Sequence, residues 1–377
     1  MKFTISSSVL SSNLQAIGKV ISNKNTLPIL DYFLFELGDD KLKITASDLE
    51  TTLYTTIDID NLEESGSVAI PARRLTETLK EFSEQPLTVE VDKETWEVTI
   101  SWKTGKLSIP GITGLGYPEQ QALDPATSVS VTLTAGLLNE GVGRTIFATA
   151  DDQLRPVMNG INIVFSPEGI TFVATDAHRL VRFTDSDVKT EETASFILPA
   201  KPAHLLRSIM PKDQEDKIEV AFDSKNVSFT LPRHRLICRL IEGNYPNYNA
   251  VIPKNNPNRL AIDRNELVSS IKRVAVCSNQ ASGLIKFNLA DGNLNITAQD
   301  LDYSTSAEDN LACDYTGDPI EIGFKSPFLL DIMGNIASPE VMIELADATR
   351  PGIFLPSESP VESQSLLMLL MPMMINI

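Results

Sequence analysis

The segment TDAHRL at 175–180 sets a carboxylate, an imidazole and a guanidinium, those of Asp176, His178 and Arg179, directly behind an apolar alternating run. A carboxylate that orients a histidine beside a cation could serve general acid–base chemistry. These three residues define one candidate site, that of a soluble hydrolase built on repeated domains. The rest of the chain gives such chemistry little support. His178, His204 and His234 fall in separate segments, and neither His-Glu-x-x-His nor Gly-x-Ser-x-Gly occurs. GITGLG at 111–116 has the glycine density of a phosphate loop but the wrong order, and no basic residue or helical pattern follows it. It reads as an interdomain loop ending at Tyr117-Pro118. Asp151-Asp152 and Glu63-Glu64 read as solvated surface in a chain with 50 Asp and Glu. Cys238, Cys277 and Cys313 lack Cys-x-x-Cys spacing and are too few for a disulfide framework, so no metal or cofactor is expected and a reducing cytoplasm is the natural compartment.

Whatever function these side chains serve, repeated elements must position them. At 377 residues the chain is long enough for two to four domains, at roughly 100–200 residues each. Its start, MKFTISSSVL, lacks the apolar stretch of an export signal. The most apolar stretch, 365–377, is shorter than the roughly 20 residues that span a bilayer and is interrupted by Pro372, so a soluble protein without a membrane partner is expected.

LKITASDLETTL at 42–53, ITFVATDAHRLV at 170–181 and LNITAQDLDYST at 294–305 share an alternating strand that leads into an aspartate: Asp48, Asp176 and Asp300. A second element, an apolar strand running into a helix, recurs at 68–82, 196–210 and 320–336. Asp48 and Asp176, Pro71 and Pro199, and Tyr117 and Tyr245 are each 128 residues apart, and Asp300 follows Asp176 by 124. One offset shared by three separate features marks internal repeats, read here as domains 1–125, 126–253 and 254–377.

Each repeat opens with an amphipathic helix. Leu10, Leu14, Ile17 and Ile21 share one helical face in the first; Leu138, Val142 and Thr145 do so in the second, and Leu267, Ile271 and Val274 in the third. The later helix of the first repeat shows Leu75, Leu79 and Phe82 on one face. Alternating segments at 88–101 and 217–230 read as antiparallel hairpins. The fold class is α+β, each repeat placing two helices on curved antiparallel sheets.

The formal net charge is −18. The six helical segments (6–22, 71–82, 134–150, 199–212, 263–279 and 325–336) nevertheless hold twelve Lys and Arg against six Asp and Glu, which leaves −24 on the remainder. Basic helices backed by acidic sheets suit a contact with nucleic-acid phosphates that reads no bases. The acidic exterior would repel nucleic acid from every other face.

The chain resembles the beta subunits of bacterial DNA polymerase III, the sliding clamps, over essentially its whole length. The residues that carry the likeness are TLPIL at 26–30, IPAR at 70–73, Asn159-Gly160, TDAHRL, Tyr245-Pro246, VIPKN at 251–255, EIGF at 321–324 and Met-Pro-Met at 371–373. The resemblance implies a DNA clamp fold in which two three-domain protomers close head to tail into a six-domain ring around duplex DNA. It implies a non-catalytic processivity factor that tethers the polymerase III alpha subunit, the clamp loader and repair proteins through a peptide-binding pocket. Carried over by motif, the pocket comprises Met158, Thr175, His178, Arg179, Leu180, Pro246, Val251, Leu369, Met371, Pro372 and Met373. The DNA contacts are Lys24, Arg73 and Lys201. At the joint of the homodimer, Leu107 and Ile109 face Val276 and Cys277 of the second protomer.

Three departures accompany the likeness. Ala177 replaces the family's usual glycine, which requires that the position avoid positive φ. Pro156-Val157 replaces a tyrosine pair, leaving the DNA contact of that loop open. The tail continues through Met374, Ile375, Asn376 and Ile377 beyond Met-Pro-Met.

Overall fold

The computed structural model describes every residue except Asn23, Asp60, Asn61, Gln120, Gln121, Asn376 and Ile377, and the side chain of Leu62. Contacts group the chain into two compact units, Met1–Asn139 with Lys201–Leu240, and Glu140–Ala200 with Ile241–Ile377. The division cuts through the middle sequence repeat because half of that repeat's strands join a sheet with the first repeat and half with the third.

In the first unit, an eight-stranded antiparallel sheet runs in the order 129–134, 217–222, 226–230, 234–239, 51–58, 41–47, 32–38, 66–71. Its central seam pairs Thr51–Asp58 of the first repeat with His234–Arg239 of the second, Leu53 opposite Leu236. A five-stranded sheet ends at the edge strand Gly105–Pro110. In the second unit, a nine-stranded sheet runs 194–199, 160–166, 169–175, 179–185, 364–370, 352–356, 340–345, 258–263, 314–316. Its seam pairs Arg179–Asp185 with Gln364–Leu370, Leu180 opposite Leu369. A four-stranded sheet leaves Thr305–Ala312 as an edge.

Among the described residues six α-helices follow strands directly: α1 Ser7–Ile17, α2 Ala72–Leu79, α3 Ala135–Thr145, α4 Ala200–Ser208, α5 Arg264–Ala275 and α6 Ser326–Asn335. Their starts are chemically marked. The Asp263 carboxylate accepts the Glu266 N–H at 2.8 Å, the Thr134 hydroxyl accepts the Leu137 N–H at 3.3 Å, and Pro327 opens α6. The expected apolar stripes are the buried ones: Leu10, Leu14 and Ile17 on α1, Leu138 and Val142 on α3, Leu267, Ile271 and Val274 on α5. Two stripe positions lie outside the helices. After Ile17 the chain tightens into a 3-10 turn, Gly18–Val20, that buries Val20 and carries Ile21 out of register. Phe82 lies past the end of α2 and meets the Trp102 ring edge-on at 4.9 Å between centroids.

Tyr117 closes the glycine-rich 111–116 segment as a buried anchor, its hydroxyl donating to the Tyr32 carbonyl at 3.3 Å. Burial pushes its phenol pKa well above the ordinary value. The segment is a strap tied to the sheet through Ile112 and Ala69. Among the described residues no helix is long and apolar enough to cross a membrane.

Two helical glycines allow opposite expectations. A methyl group on Gly141 of α3 would lie 2.4 Å from the fully buried Phe172 ring, whereas one on Gly334 of α6 would meet nothing within 4 Å. Alanine ordinarily stabilises a helix interior by about 1 kcal/mol over glycine. Gly334→Ala should therefore raise stability by about that amount. Gly141→Ala should lower it by about 1–3 kcal/mol through overpacking. Urea denaturation of the two variants checks both signs.

Candidate functional site

The repeated aspartate is first a turn former. In 175–179, one Asp176 oxygen accepts the N–H groups of His178 and Arg179 at 2.9 and 2.8 Å, and the Thr175 hydroxyl accepts that of Ala177 at 3.1 Å. The first repeat copies this at the same offset. Asp48 accepts from Glu50 and Thr51 at 3.1 and 2.7 Å, and Ser47 accepts from Leu49 at 3.2 Å. The turn forces the residue after the aspartate into left-handed backbone, with φ of +73° at Ala177 and +78° at Leu49. The expectation that Ala177 avoids positive φ is thus overturned: the paired N–H groups hold the turn in that region although a side chain with Cβ disfavours it.

The second Asp176 oxygen accepts from Arg179 Nε at 3.0 Å. Arg179 is only 9% exposed, and its fork is fully committed. Nη1 donates to Asp331 on α6 at 2.5 Å and Nη2 to the Phe147 carbonyl at 2.7 Å, while the guanidinium lies 4.7 Å from the Phe328 ring centroid. The His178 ring stacks on Phe328 at 5.9 Å, and its backbone carbonyl receives the Met371 N–H at 2.8 Å. This geometry disposes of the hydrolytic site. Both carboxylate oxygens of Asp176 are engaged by the turn and by Arg179, so Asp176 does not orient the His178 ring, which lies against an apolar face instead. Among the described residues no cluster of His, Cys, Asp and Glu could hold a metal.

What the turn and seam assemble is an apolar patch. Val173, Leu180 and Leu369 form a buried cluster, against which Tyr245, Tyr248, Ile252 and Leu367 pack. Strand pairing explains the grouping, since Leu180 lies opposite both Thr175 and Leu369, and Arg182 lies opposite both Val173 and Leu367. The Tyr245 hydroxyl is buried beside the Thr175 backbone, and burial pushes its phenol pKa well up.

Thr175, His178, Arg179, Leu180, Leu369 and Met371 thus come together through one turn and one seam, and Pro246 follows a tyrosine that packs on the cluster. Pro372 is half-buried, and the Met373 N–H bonds the Gly323 carbonyl at 2.8 Å, drawing the tail across to the four-stranded sheet. Val251 is half exposed beside the packed Ile252, and Met158 is placed by its carbonyl, which accepts the Ala150 N–H at 2.9 Å. Met374 is 93% exposed, while Asn376 and Ile377 lie outside the described residues. Tyr248, Ile252, Leu367, Phe328 and Asp331 were missed because no local motif marks them; the signal was available only for Tyr245, through its repeat partner Tyr117.

The basic residues divide into tied and free. Lys201 pairs with Asp48 and also bonds the Val20 carbonyl at 3.1 Å, and Arg73, on the surface of α2, pairs with Glu77 at 2.9 Å. Lys24 is exposed. Lys19, Arg74, Lys80, Arg207, Lys212 and Lys272 have no side-chain hydrogen bond or ion pair among the described residues. At the expected joint, Val276 is 83% exposed and Cys277 and Leu107 are half-buried. Ile109 corrects the expectation. It is fully buried, because strand parity turns it with Val98 into the core of its own sheet, and it has no surface to offer a second protomer.

Models of the DNA polymerase III beta subunit match the chain in three consecutive pieces: the N-terminal domain over 1–121, the central domain over 132–247 and the C-terminal domain over 249–374. The beta sliding clamp of Synechocystis sp. is 28% identical over 381 residues, covering 94% of this chain and 96% of that protein. The beta sliding clamp of Staphylococcus aureus is 27% identical, covering 97% and 98%. Among solved structures, the sliding clamps of Pseudomonas aeruginosa and Bartonella birtlesii, each bound to griselimycin, superimpose with TM-scores of 0.93 and 0.92 at 24% and 26% identity over the full length of both chains.

The turn yields a paired expectation. Ala177→Gly removes the left-handed strain and should stabilise the protein by about 0.5–1 kcal/mol. Arg179→Ala should destabilise it by about 2–4 kcal/mol, because it strands the Phe147 carbonyl and the Asp176 carboxylate. Both are read from denaturation midpoints at neutral pH.

Proposed function

The chain belongs to the DNA polymerase III beta-subunit family, and from that premise we propose that two copies close head to tail into a ring that encloses duplex DNA. It is a sliding clamp, a non-catalytic processivity factor of DNA replication. Its mechanism is topological. A closed ring stays on the duplex without tight binding, so its contacts need only be weak enough to permit sliding.

The observation that carries the ring is a pairing rule used twice and left open once. The strand after the repeat aspartate pairs with the third hairpin strand of the next repeat: Thr51–Asp58 with His234–Arg239, and Arg179–Asp185 with Gln364–Leu370. The corresponding strand of the third repeat, Thr305–Ala312, and that of the first, Gly105–Pro110, each keep one unpaired side. Open edges of this kind invite another chain. A second copy supplies each with its complement and satisfies the rule throughout the ring. Val276 and Cys277 end α5 beside this edge, since Arg273 of α5 pairs with Asp309 on the edge strand. Leu107 remains the residue of the opposite edge able to meet them.

For DNA, we assign non-specific phosphate contact to the free cations Lys19, in the turn after α1, Arg74 on α2 and Lys80 just past it, together with Arg73 and Lys24. Lys201 contributes less freely because Asp48 holds it. For partner proteins, the partly buried Tyr245, Tyr248, Ile252 and Leu367 over the Val173–Leu180–Leu369 cluster, with Met371, Pro372 and Met373, suit a short peptide with apolar anchors, methionine supplying an adaptable wall. The replicative polymerase, the clamp loader and repair factors are the partners we expect to present such peptides. The domain limits we retain are 1–125, 126–253 and 254–377.

In light scattering the protein should have about twice the 41.4 kDa of one chain. Leu107→Glu should shift it toward monomer, and a wild-type protein that stays monomeric on concentration would overturn the ring. Arg73→Glu with Arg74→Glu should shorten residence on circular DNA far more at low than at high salt, because phosphate contacts are screened. Equal loss at both salts would argue against phosphate contact. Deleting 371–377 should leave the dimer intact, since the seam ends at Leu370, and should abolish capture of apolar-anchored peptides in a fluorescence anisotropy titration.

A further inference from the structure

Arg182 occupies an unusual place on the peptide floor. Strand pairing sets it directly between Val173 and Leu367, two members of the apolar patch, in the row next to Leu180 and Leu369. It is half-buried. Unlike Arg179, it has no hydrogen bond or ion pair through its side chain among the described residues, in a chain whose net charge is −18. The equivalent row of the first unit's seam shows the contrast. There Tyr54 lies opposite Thr45 and Arg235, and the Arg235 guanidinium donates to the Ser228 hydroxyl at 2.8 Å. That arginine is satisfied within its own unit, whereas Arg182 is not. Arg182 lies close enough to Tyr248 for its charge to act on the phenol, whose pKa is pushed up by burial and drawn back by the positive charge.

We propose that Arg182 is a specificity-determining residue of the pocket, receiving an acidic side chain that a partner peptide carries next to an apolar anchor. The inference rests on the peptide-pocket reading above. The aliphatic stem of an arginine packs on apolar neighbours while its five donors reach toward water. A peptide laid over the partly buried Tyr248 and Leu367, which cover the Val173–Leu180–Leu369 cluster, strips water from those donors. A carboxylate restores them by a charge-assisted, forked bond, whereas an amide restores them in part and a lysine repels them. Arg182 thus selects by penalty as much as by attraction.

The test uses the full-length protein and labelled hexapeptides that share Leu and Phe anchors, with Asp or Asn placed in turn at each remaining position, titrated by fluorescence anisotropy. At one position the wild type should bind the Asp peptide about fivefold more tightly than its Asn twin. R182Q should erase that ratio while holding the Asn twin about as well as the wild type does, and R182K should keep part of it. The thermal midpoint of R182Q should match the wild type, since no internal partner is lost; a fall would make Arg182 a structural residue and overturn the assignment. An equal Asp-to-Asn ratio in wild type and R182Q overturns it as well, with the pocket left standing. Failure of every peptide to bind the wild type overturns the pocket reading and this assignment together.

Discussion

The antiparallel seam between consecutive repeats is the constraint on which the rest of the molecule depends. The first and second repeats each end the aspartate turn with a strand whose outer edge must be paired, and the next repeat's hairpin covers it. Because side chains alternate strictly along a strand, the register of that seam fixes which residues of two repeats share a face. In the second unit it sets Leu180 beside Leu369 and Arg182 beside Leu367, so the seam itself builds the floor of the candidate pocket. The same register in the first unit sets Thr52 beside Ile237 and Tyr54 beside Arg235. One architecture yields an apolar platform at one seam and a more polar one at the other, by side-chain choice alone.

The turn that feeds the seam explains why the most reactive-looking segment of the sequence is structural. Asp176 spends one oxygen on two backbone donors and the other on Arg179, which in turn reaches α6 through Asp331 and the chain at Phe147 through its carbonyl. A buried guanidinium is tolerable only with its donors engaged, and here every arm of the fork has a partner. The cost appears at Ala177, held at positive φ by bonds on both sides. A site that locks a carboxylate, a histidine and an arginine this way presents a shaped surface rather than a proton shuttle.

Much of the fold was legible because it is repeated. The shared offset of 128 residues joined Asp48 to Asp176 and Tyr117 to Tyr245, and the structure gives both pairs the same local roles, turn former and buried anchor. Helical stripes were legible where 3.6-residue periodicity persisted and failed at Ile21 and Phe82, which lie beyond the helix ends: α1 stops before Gly18, and α2 stops at Leu79 with no glycine or proline to mark it. Ile109 was misread because an apolar residue on an edge strand faces its own core or a partner according to parity, which the sequence states only once the register is known. Tyr248, Ile252 and Leu367 were invisible for a related reason: Leu367 reaches the cluster through the seam, and Tyr248 and Ile252 reach it from a segment more than a hundred residues away from Leu367 in sequence. Ala177 shows the converse limit, since backbone hydrogen bonds overrode the residue's own preference.

Electrostatics adds a last step. The helical surplus counted in the sequence is only partly available, for Arg73, Arg144, Lys201 and Arg273 each hold a carboxylate. Exposed pairs of this kind contribute little to stability, roughly 0–1 kcal/mol each, so they are better understood as lowering the attraction of the helices for phosphate. A ring held on DNA by topology gains nothing from tight binding and loses mobility by it. If free cations such as Lys19, Arg74 and Lys80 meet the duplex as we propose, their mixture with neutralised ones and the acidic remainder would give an attraction that is local, weak and readily exchanged from one phosphate to the next. The pocket we propose would meet the opposite requirement, selection of its ligand, and the fully engaged Arg179 holds the turn at its edge in one form.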